Sequence, residues 1–547
     1  MRFCVAGRMP CPIPRDALLL TSILMLAAVL RFNNITQPLT DHFSWRQAST
    51  AMMASNFYHK SWNIFYPEVD WTGRDPGYQG REFQTLSYIT ALLYVIVGEH
   101  VWVGRSLAAI FGLWGIFALY QLVRRVWDEE RALLCAAVMA LLPGSVVIER
   151  SFVPDPVMVA LVTTSVWLLV AYLQTDQVRF LWLAGVIGAW GILSKPPGLV
   201  VGFAMIYATL TILRFRHRLN SNKVAIIGLV AALALVPVIA YYLWALHLGL
   251  SYPPYHVAGQ GMWLWNQGWR QWLDEKYFFS PLSRHFNDWI WTEPIIILVG
   301  LGIIFSFCCF GGEKRSQSSV SGSITMRSSA KAPWLFHWWL LGIVPFYMIG
   351  AKELVSNPWN FHIISPAAAA LSSYAIITIA SFVAEFAGLA RQVLVKLTTI
   401  AVCLIVVAVL GTRPSMIEMF YPVAQQSYEL GLALRQVSQP QDLVVTMANT
   451  LGDPVVLYYS QRRGWLFPPP GAFPDFIELP QDDKESIRVF EGLRAEGAVW
   501  LGIVAAQHAE LQQKHPLLLA HFQRNSRSYQ HNPEWVIYSI LPDAPGD

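Results

Sequence analysis

Long apolar runs separated by short polar segments fill residues 17–410, and from 415 to 547 the pattern changes to short segments of mixed polarity. A helix needs about 20 predominantly apolar residues to cross a bilayer. The runs at 17–30, 103–123, 132–148, 156–173, 180–193, 199–213, 224–248, 289–310, 334–351, 362–382 and 397–410 therefore predict about eleven spans. Arg2, Arg8 and Arg15 precede the first run, which continues into Arg31-Phe32-Asn33-Asn34 without a small-residue cleavage site. It reads as a retained span with a cytoplasmic N-terminus rather than as a signal peptide.

Basic residues mark every second turn: Arg124-Arg125; Arg214, Arg216, Arg218 and Lys223; Lys314, Arg315, Arg327 and Lys331; Arg391 and Lys396. The positive-inside rule puts these turns in the cytoplasm and the others outside. Residues 33–100 then form a first outer loop, in which 44–58 and 82–97 have the pattern of amphipathic helices lying at the interface. The last span delivers 415–547 to the outer side. There 442–447, 498–504 and 535–541 read as strands, and 425–437 and 484–496 as helices. The expected fold class is a polytopic α-helical membrane protein, residues 1–414, with a small extracytoplasmic α/β domain, residues 415–547, all in the plasma (inner) membrane.

Composition sharpens this picture. Hydrophobic residues make up 54% and charged residues 14% of the 547, against about 25% charged in soluble proteins. The net charge of +4 is dispersed, which predicts no nucleic-acid partner. The six cysteines form neither a disulfide framework nor a zinc pattern. No internal repeat supports a transporter, which often has two related halves, although a lipid or polysaccharide transporter remains the alternative class. No phosphate-binding loop of the Gly-x-x-x-x-Gly-Lys type and no His-Glu-x-x-His occurs.

Candidate chemistry gathers at the outer ends of the spans. Asp41-His42-Phe43-Ser44-Trp45-Arg46-Gln47 puts an acid, an imidazole and a guanidinium at the start of the first interfacial helix. Asp41 can cap that helix and also act as a general base facing the membrane surface. Glu149-Arg150-Ser151-Phe152-Val153-Pro154-Asp155 opens the fourth span on the same side, where charge is costly unless paired or functional. Lys195, in Ser194-Lys195-Pro196-Pro197, runs against the positive-inside bias, as a ligand for a lipid phosphate would; a lysine snorkelling to the interface is the other reading. His362 opens a later span. Trp263, Trp265, Trp269 and Trp272 form an interfacial belt or stack on sugars. Arg462-Arg463-Gly464-Trp465 is a solvated surface turn or a carbohydrate or phosphate contact. Glu82 and His256 both lie outside and leave room for a divalent cation, with no metal site assigned.

An Asp just after the first span, two interfacial helices and a second Asp opening the fourth span resemble the GT-C glycosyltransferases. The likeness is to their bacterial family 39 branch, related to protein O-mannosyltransferases and the lipid A aminoarabinose transferase. It is carried by residues 41–47, Asn56-Phe57-Tyr58, Glu82-Phe83, Leu92-Leu93-Tyr94, Gly98, Gly104-Arg105, Arg150 and Pro154-Asp155, and beyond Gly198 it is mainly topological. The resemblance implies transfer of a sugar from a polyprenyl-phosphate carrier, with inversion, to a lipid, glycan or protein acceptor at the outer face. It implies Asp41 as catalytic base, with Asp155 as the second catalytic carboxylate. His42, Arg46, Arg81, Glu82, Arg150, Lys195 and His362 become the candidate substrate contacts. Many relatives carry Lys-Pro after the glutamate of the second interfacial helix; here Phe83-Gln84 follows Glu82, and Arg81 is the substitute.

Overall fold

The computed structural model describes residues 15–257, 268–269, 284–312, 332–411, 417–473, 477–524 and 526–540. Most of the Trp-rich loop, including Trp263, Trp265 and Trp272, and the basic loop with Lys314, Arg315, Arg327 and Lys331 lie outside the described residues. Each of the apolar runs is occupied by helix. The first part of the chain runs through α1 (Arg15–Phe32), α2 (Ser44–His59), α3 (Thr85–Val97), α4 (Val101–Val126), α5 (Glu129–Leu141) and α6 (Pro143–Arg150). It continues through α7 (Asp155–Thr175), α8 (Val178–Ser194), α9 (Val201–Phe215) and α10 (Ser221–Ser251). Then follow α11 (Glu293–Gly312), α12 (Leu335–Ser356), α13 (Ser365–Glu385) and α14 (Gln392–Gly411).

Among the described residues, six helices are long and apolar enough to cross a membrane, or seven if α5 and α6 are one span. The chain is a multi-pass membrane protein. The single run expected at 132–148 is two helices meeting at 63°. Pro143 has no N–H to give α5 and forces a break after Leu142. The break turns Glu149 and Arg150 into the bundle, where both are buried. Helix α7 is central, packed between α4 and α8. Its 21 residues span about 30 Å at 1.5 Å per residue, so Asp155 and Asp176 mark opposite ends of the helix. Asp176 gathers Arg216, Arg218 and Lys223 at one end. The candidate residues gather at the other.

In the first loop β1 (Glu68–Val69) pairs antiparallel with β2 (Gly77–Tyr78). The C-terminal region forms a five-stranded sheet in the order β4-β3-β5-β7-β6, with β3 Leu443–Met447, β4 Gly464–Leu466, β5 Ala498–Val504, β6 Arg527–His531 and β7 Trp535–Ser539. Strand β3 pairs in parallel with β4 and β5, while β7 is antiparallel to β5 and β6. The three expected strands and both expected helices, α15 (Gln425–Val437) and α17 (Asp483–Ala495), are present, together with α16 (Val455–Ser460). Two strands were not legible: β4 is three residues long, and β6 is exposed at every position, so neither shows alternation.

This sheet does not stand apart from the first loop. Met52, Met53 and Phe57 of α2, with Val69 and Trp71, share a core with Leu430, Val444 and Trp500. Residues 464 and 73 exchange backbone hydrogen bonds with the loop and sheet: Gly73 N donates to Gly464 O and Gly464 N to Asp70 O. Gly73 has φ +61°, and a Cβ there would lie 2.1 Å from the Trp465 ring. Glycine is needed for both reasons. The Arg462-Arg463 pair is neither a solvated turn nor a free anion contact. Arg462 is buried on Ser438 and backbone carbonyls, while Arg463 pairs with Glu68 at 2.5 Å and donates to Gly73 O. The pair is a clamp between sheet and loop.

Candidate active site

Asp41 sits in the turn before α2 and is 3% exposed. Its Oδ1 accepts from Phe43 N at 3.1 Å and Gln47 Nε2 at 2.6 Å, and its Oδ2 accepts from Arg105 Nη2 at 2.7 Å. Local geometry supplies the first two donors, since Gln47 lies one helical turn into α2. Arg105 comes from α4 and also donates to Gln47 Oε1 at 2.9 Å and to the carbonyl of Gln37. Gln47 Oε1 further accepts from Phe152 N at 3.1 Å, in the turn leading to Asp155. One amide thus ties the first Asp to the segment that carries the second. A carboxylate has about four lone-pair sites; three are taken, and the free one is on Oδ2. His42, the next residue, is exposed and stands edge-on to Trp289 at 5.0 Å.

Asp155 is fully buried at the start of α7, and its Oδ1 accepts from Lys195 Nζ at 2.7 Å. Its Oδ2 has no hydrogen-bond partner. The Pro196-Pro197 pair ends α8 and leaves Lys195 in extended backbone, from which its ammonium turns inward. Lys195 is therefore a buried partner of Asp155 and not a snorkelling lysine. Arg46 pairs with Glu82, and their side chains are 12% and 9% exposed. Lys195, Arg46 and Glu82 lie within electrostatic range of one another, as do Arg81 and Glu82. Burial alone would push the Glu82 carboxyl up, but Arg46, Arg81 and Lys195 together hold it below the usual range. Burial pushes the Lys195 ammonium down against the pull of Asp155, and Arg46 adds to that lowering. Three cations thus face two carboxylates at the rim of the bundle.

His362 belongs to other surroundings, whereas Arg150 lies within electrostatic range of Asp41 and Arg105. Arg150 donates to Asn34 O at 2.9 Å, and its guanidinium lies 4.5 Å from the centroid of the Phe420 ring. His362 is fully buried, with Nε2 3.1 Å from Glu149 Oε1. The other oxygen of Glu149 pairs with Arg31 Nε at 2.5 Å, and Arg31 also bonds the carbonyls of Met139 and Ala140. Gly112 of α4 leaves room for this carboxylate, because a Cβ there would stand 2.5 Å from Glu149 Oε2.

The cation considered for Glu82 and His256 finds little support. The Gly80 N–H donates to the carbonyl of His256 at 3.2 Å, which brings the two segments together. Burial, then Arg81 and Arg46, push the imidazole down to about 3, so it is neutral. Arg46, however, already holds the Glu82 carboxylate. Among the described residues no group of three or more His, Cys, Asp or Glu side chains converges. No step is assigned to a metal.

Of the nine candidates, the structure places Asp41 and His42 side by side. It brings Arg46, Arg81, Glu82, Lys195 and Asp155 into one cluster, keeps Arg150 within electrostatic range of Asp41, and sets His362 apart beside Glu149. Arg105 and Arg31 are partners whose acids no local pattern shows, since they meet them across 64 and 118 residues.

Residues 85–242 match the profile of the dolichyl-phosphate-mannose-protein mannosyltransferase family. A putative mannosyltransferase of Bacillus subtilis (strain 168), YkcB, is 24% identical over 226 residues. That match covers 41% of this chain and only 30% of that protein. The crystal structure of ArnT from Cupriavidus metallidurans bound to undecaprenyl phosphate superposes with a TM-score of 0.54 at 13% identity, covering 97% of this chain and 99% of that one. The apo oligosaccharyltransferase of Archaeoglobus fulgidus superposes with a TM-score of 0.57 at 11% identity, covering 96% of this chain and 75% of that one. The chain has the GT-C fold, and the likeness to mannosyltransferase-like GT-C proteins is borne out.

Proposed function

We propose that this protein is a membrane glycosyltransferase that takes a sugar from a polyprenyl-phosphate carrier and places it on an acceptor hydroxyl at the outer face of the plasma membrane. The observation that carries this reading is the rim cluster, where Arg46, Arg81 and Lys195 gather around Glu82 and Asp155. Three cationic side chains at one place suit a phosphate monoanion or diester, and charge-assisted hydrogen bonds are the strong ones. The opposite end of α7, with Arg216, Arg218 and Lys223, fits the cytoplasmic side by the positive-inside rule.

In this reading the acceptor hydroxyl approaches the free lone pair of Asp41 Oδ2. As its proton passes to Asp41, the acceptor oxygen bonds to the anomeric carbon on the face opposite the phosphate. The carbon–oxygen bond to phosphate breaks, and the electron pair leaves with the phosphate oxygen. One displacement inverts the anomeric centre. Arg105 and Gln47 fix the carboxylate in place, and the rim cations stabilise charge on the departing phosphate. Asp155 acts by holding Lys195. Arg150, within electrostatic range of Asp41, helps keep that carboxylate ionised. Because Glu149 holds His362 away from the rim, we assign that histidine to the support of α6. Residues 415–547 brace the first loop, and through it Asp41, by the core shared with α2.

The test is sugar transfer by the full chain in sealed proteoliposomes, with a panel of polyprenyl-phosphate sugars and envelope acceptors. Release of polyprenyl phosphate that depends on the protein and on outward-facing donor supports the reading. Flux of lipid-linked sugar across the bilayer without release of polyprenyl phosphate would replace it with the transporter class.

A further inference from the structure

Two adjoining cavities lie beside the rim cluster and share Asn63 and Tyr66. One is a groove of about 490 Å³ between the first loop and α10, lined by Phe65, Pro237, Ala240, Tyr241 and Trp244. The helix behind it is mostly exposed along its apolar length, so the groove opens toward lipid. The other is a pocket of about 200 Å³ lined by Asn56, Phe57, Ser61, Glu68 and Tyr78. An aromatic ladder joins them: Tyr66 lies 5.3 Å from Trp244 and 4.9 Å from Tyr78. Trp244 Nε1 donates to Phe65 O at 2.8 Å and pins the loop to α10. Tyr241 OH donates to Glu82 O at 3.1 Å, so the groove wall is bonded to the rim cluster.

Charge decides what fits. Around the pocket, Lys60 and Arg463 are matched by Glu68 and Asp70. Among the described residues these charges balance one another, which suits a neutral ligand better than a phosphate. Both pairs to Glu68 go to Oε1, which leaves Oε2 to accept from a hydroxyl. Aromatic faces with an amide and a carboxylate suit the apolar faces and hydroxyls of a neutral sugar.

We propose that the groove and pocket seat one lipid-anchored neutral saccharide, its chain along 237–244 and its sugar against Tyr66, Tyr78 and Glu68, as the acceptor of the transfer. Only the word acceptor rests on the proposed transfer; the site is tested by binding alone.

The experiment is hydrogen exchange of the full chain in phosphatidylcholine nanodiscs containing monoglucosyl- or diglucosyl-diacylglycerol. Parallel arms carry diacylglycerol alone, free glucose, or undecaprenyl phosphate. A glycolipid at ten times its half-saturation should slow exchange of residues 61–78 about tenfold, as mass action requires. Lipid alone, glucose alone and undecaprenyl phosphate should not. Tyr66→Ala should weaken the effect about fivefold or more, with Tyr66→Phe retaining it. Asn63→Ala, on an exposed residue, tests the same site should Tyr66→Ala fail to fold. Equal protection by undecaprenyl phosphate would assign the site to the carrier, and no protection by either glycolipid would remove it. Either failure leaves release of polyprenyl phosphate from the donor standing as a separate result.

Discussion

Two ionic networks stand at the ends of the apolar runs, each built on an Arg–Glu pair, and they are buried to different depths. In the inner one, Arg31, Glu149 and His362 are at most 1% exposed, and the acid has a partner on each oxygen. In the rim one, Arg46, Glu82 and Lys195 keep 9–12% exposure. The difference separates support from chemistry. A sealed group holds α1, α6 and the start of α13 together. A partly exposed cluster of cations at the rim can exchange its contacts for those of an anionic ligand. Sequence position alone does not distinguish them, because all of these residues sit at the same ends of apolar runs.

Breaking the inner network should cost the most stability. Glu149→Gln leaves Arg31 buried without its counter-charge, and removing one partner of a buried pair costs about 3–5 kcal/mol. The purified variant should unfold at much lower denaturant, while turnover per folded molecule stays near wild type. Loss of turnover with unchanged stability would move the inner network into the site.

A pH test sharpens the link between the sheet and the first loop. Asp453 is 4% exposed, accepts from Val455 N at 2.9 Å and is hydrogen-bonded to Ser44 at the start of α2. Burial raises its carboxyl to about 7, against those hydrogen bonds. Between the unfolded value near 4 and about 7, the folded chain holds this proton and the unfolded chain has lost it. Stability from this group is therefore complete below about pH 4 and falls as pH rises to about 7. Asp453→Asn should remove that fall, a gain over wild type of up to about 4 kcal/mol at pH 8 that vanishes near pH 4. Parallel melting curves of the two proteins across pH 4–8 measure it. A constant offset between them would mean the acid is not buried as described.

The rim network should answer differently. Arg46→Gln should leave the melting temperature close to wild type and raise the KM for the donor about tenfold to a hundredfold. That is the range expected for a hydrogen bond to a charged group, about 1.5–3 kcal/mol. An unchanged KM with lost stability would make this pair structural, like the inner one.

The sequence made much of this arrangement readable, for identifiable reasons. Apolar length and basic turns mark the helices, because the bilayer imposes both. Asp41, Glu82 and Asp155 stand out because acids at the ends of apolar runs are costly. What pattern does not carry is the identity of distant partners. Arg105 meets Asp41, Asp453 meets Ser44, and Arg463 meets Glu68 across 64, 409 and 395 residues, and no periodicity records such pairs. Lys195 was readable as an outer lysine with a reason to be there, but the Asp155 carboxylate that draws it inward was not. The break at Pro143 does not show in apolar length, because residues 132–148 stay apolar across both helices that meet there.

The most direct measurement is single-turnover release of polyprenyl phosphate by wild type, Asp41→Glu and Asp41→Asn in the same lipid, each checked for folding. Asp41→Glu keeps the charge that Arg105 needs and displaces the carboxylate oxygens. Turnover should fall about 10²–10⁴-fold in both variants, the usual contribution of a positioned general base, with Asp41→Glu as stable as wild type. Wild-type release rates from a folded Asp41→Glu or Asp41→Asn protein would contradict the assignment of Asp41 as the base.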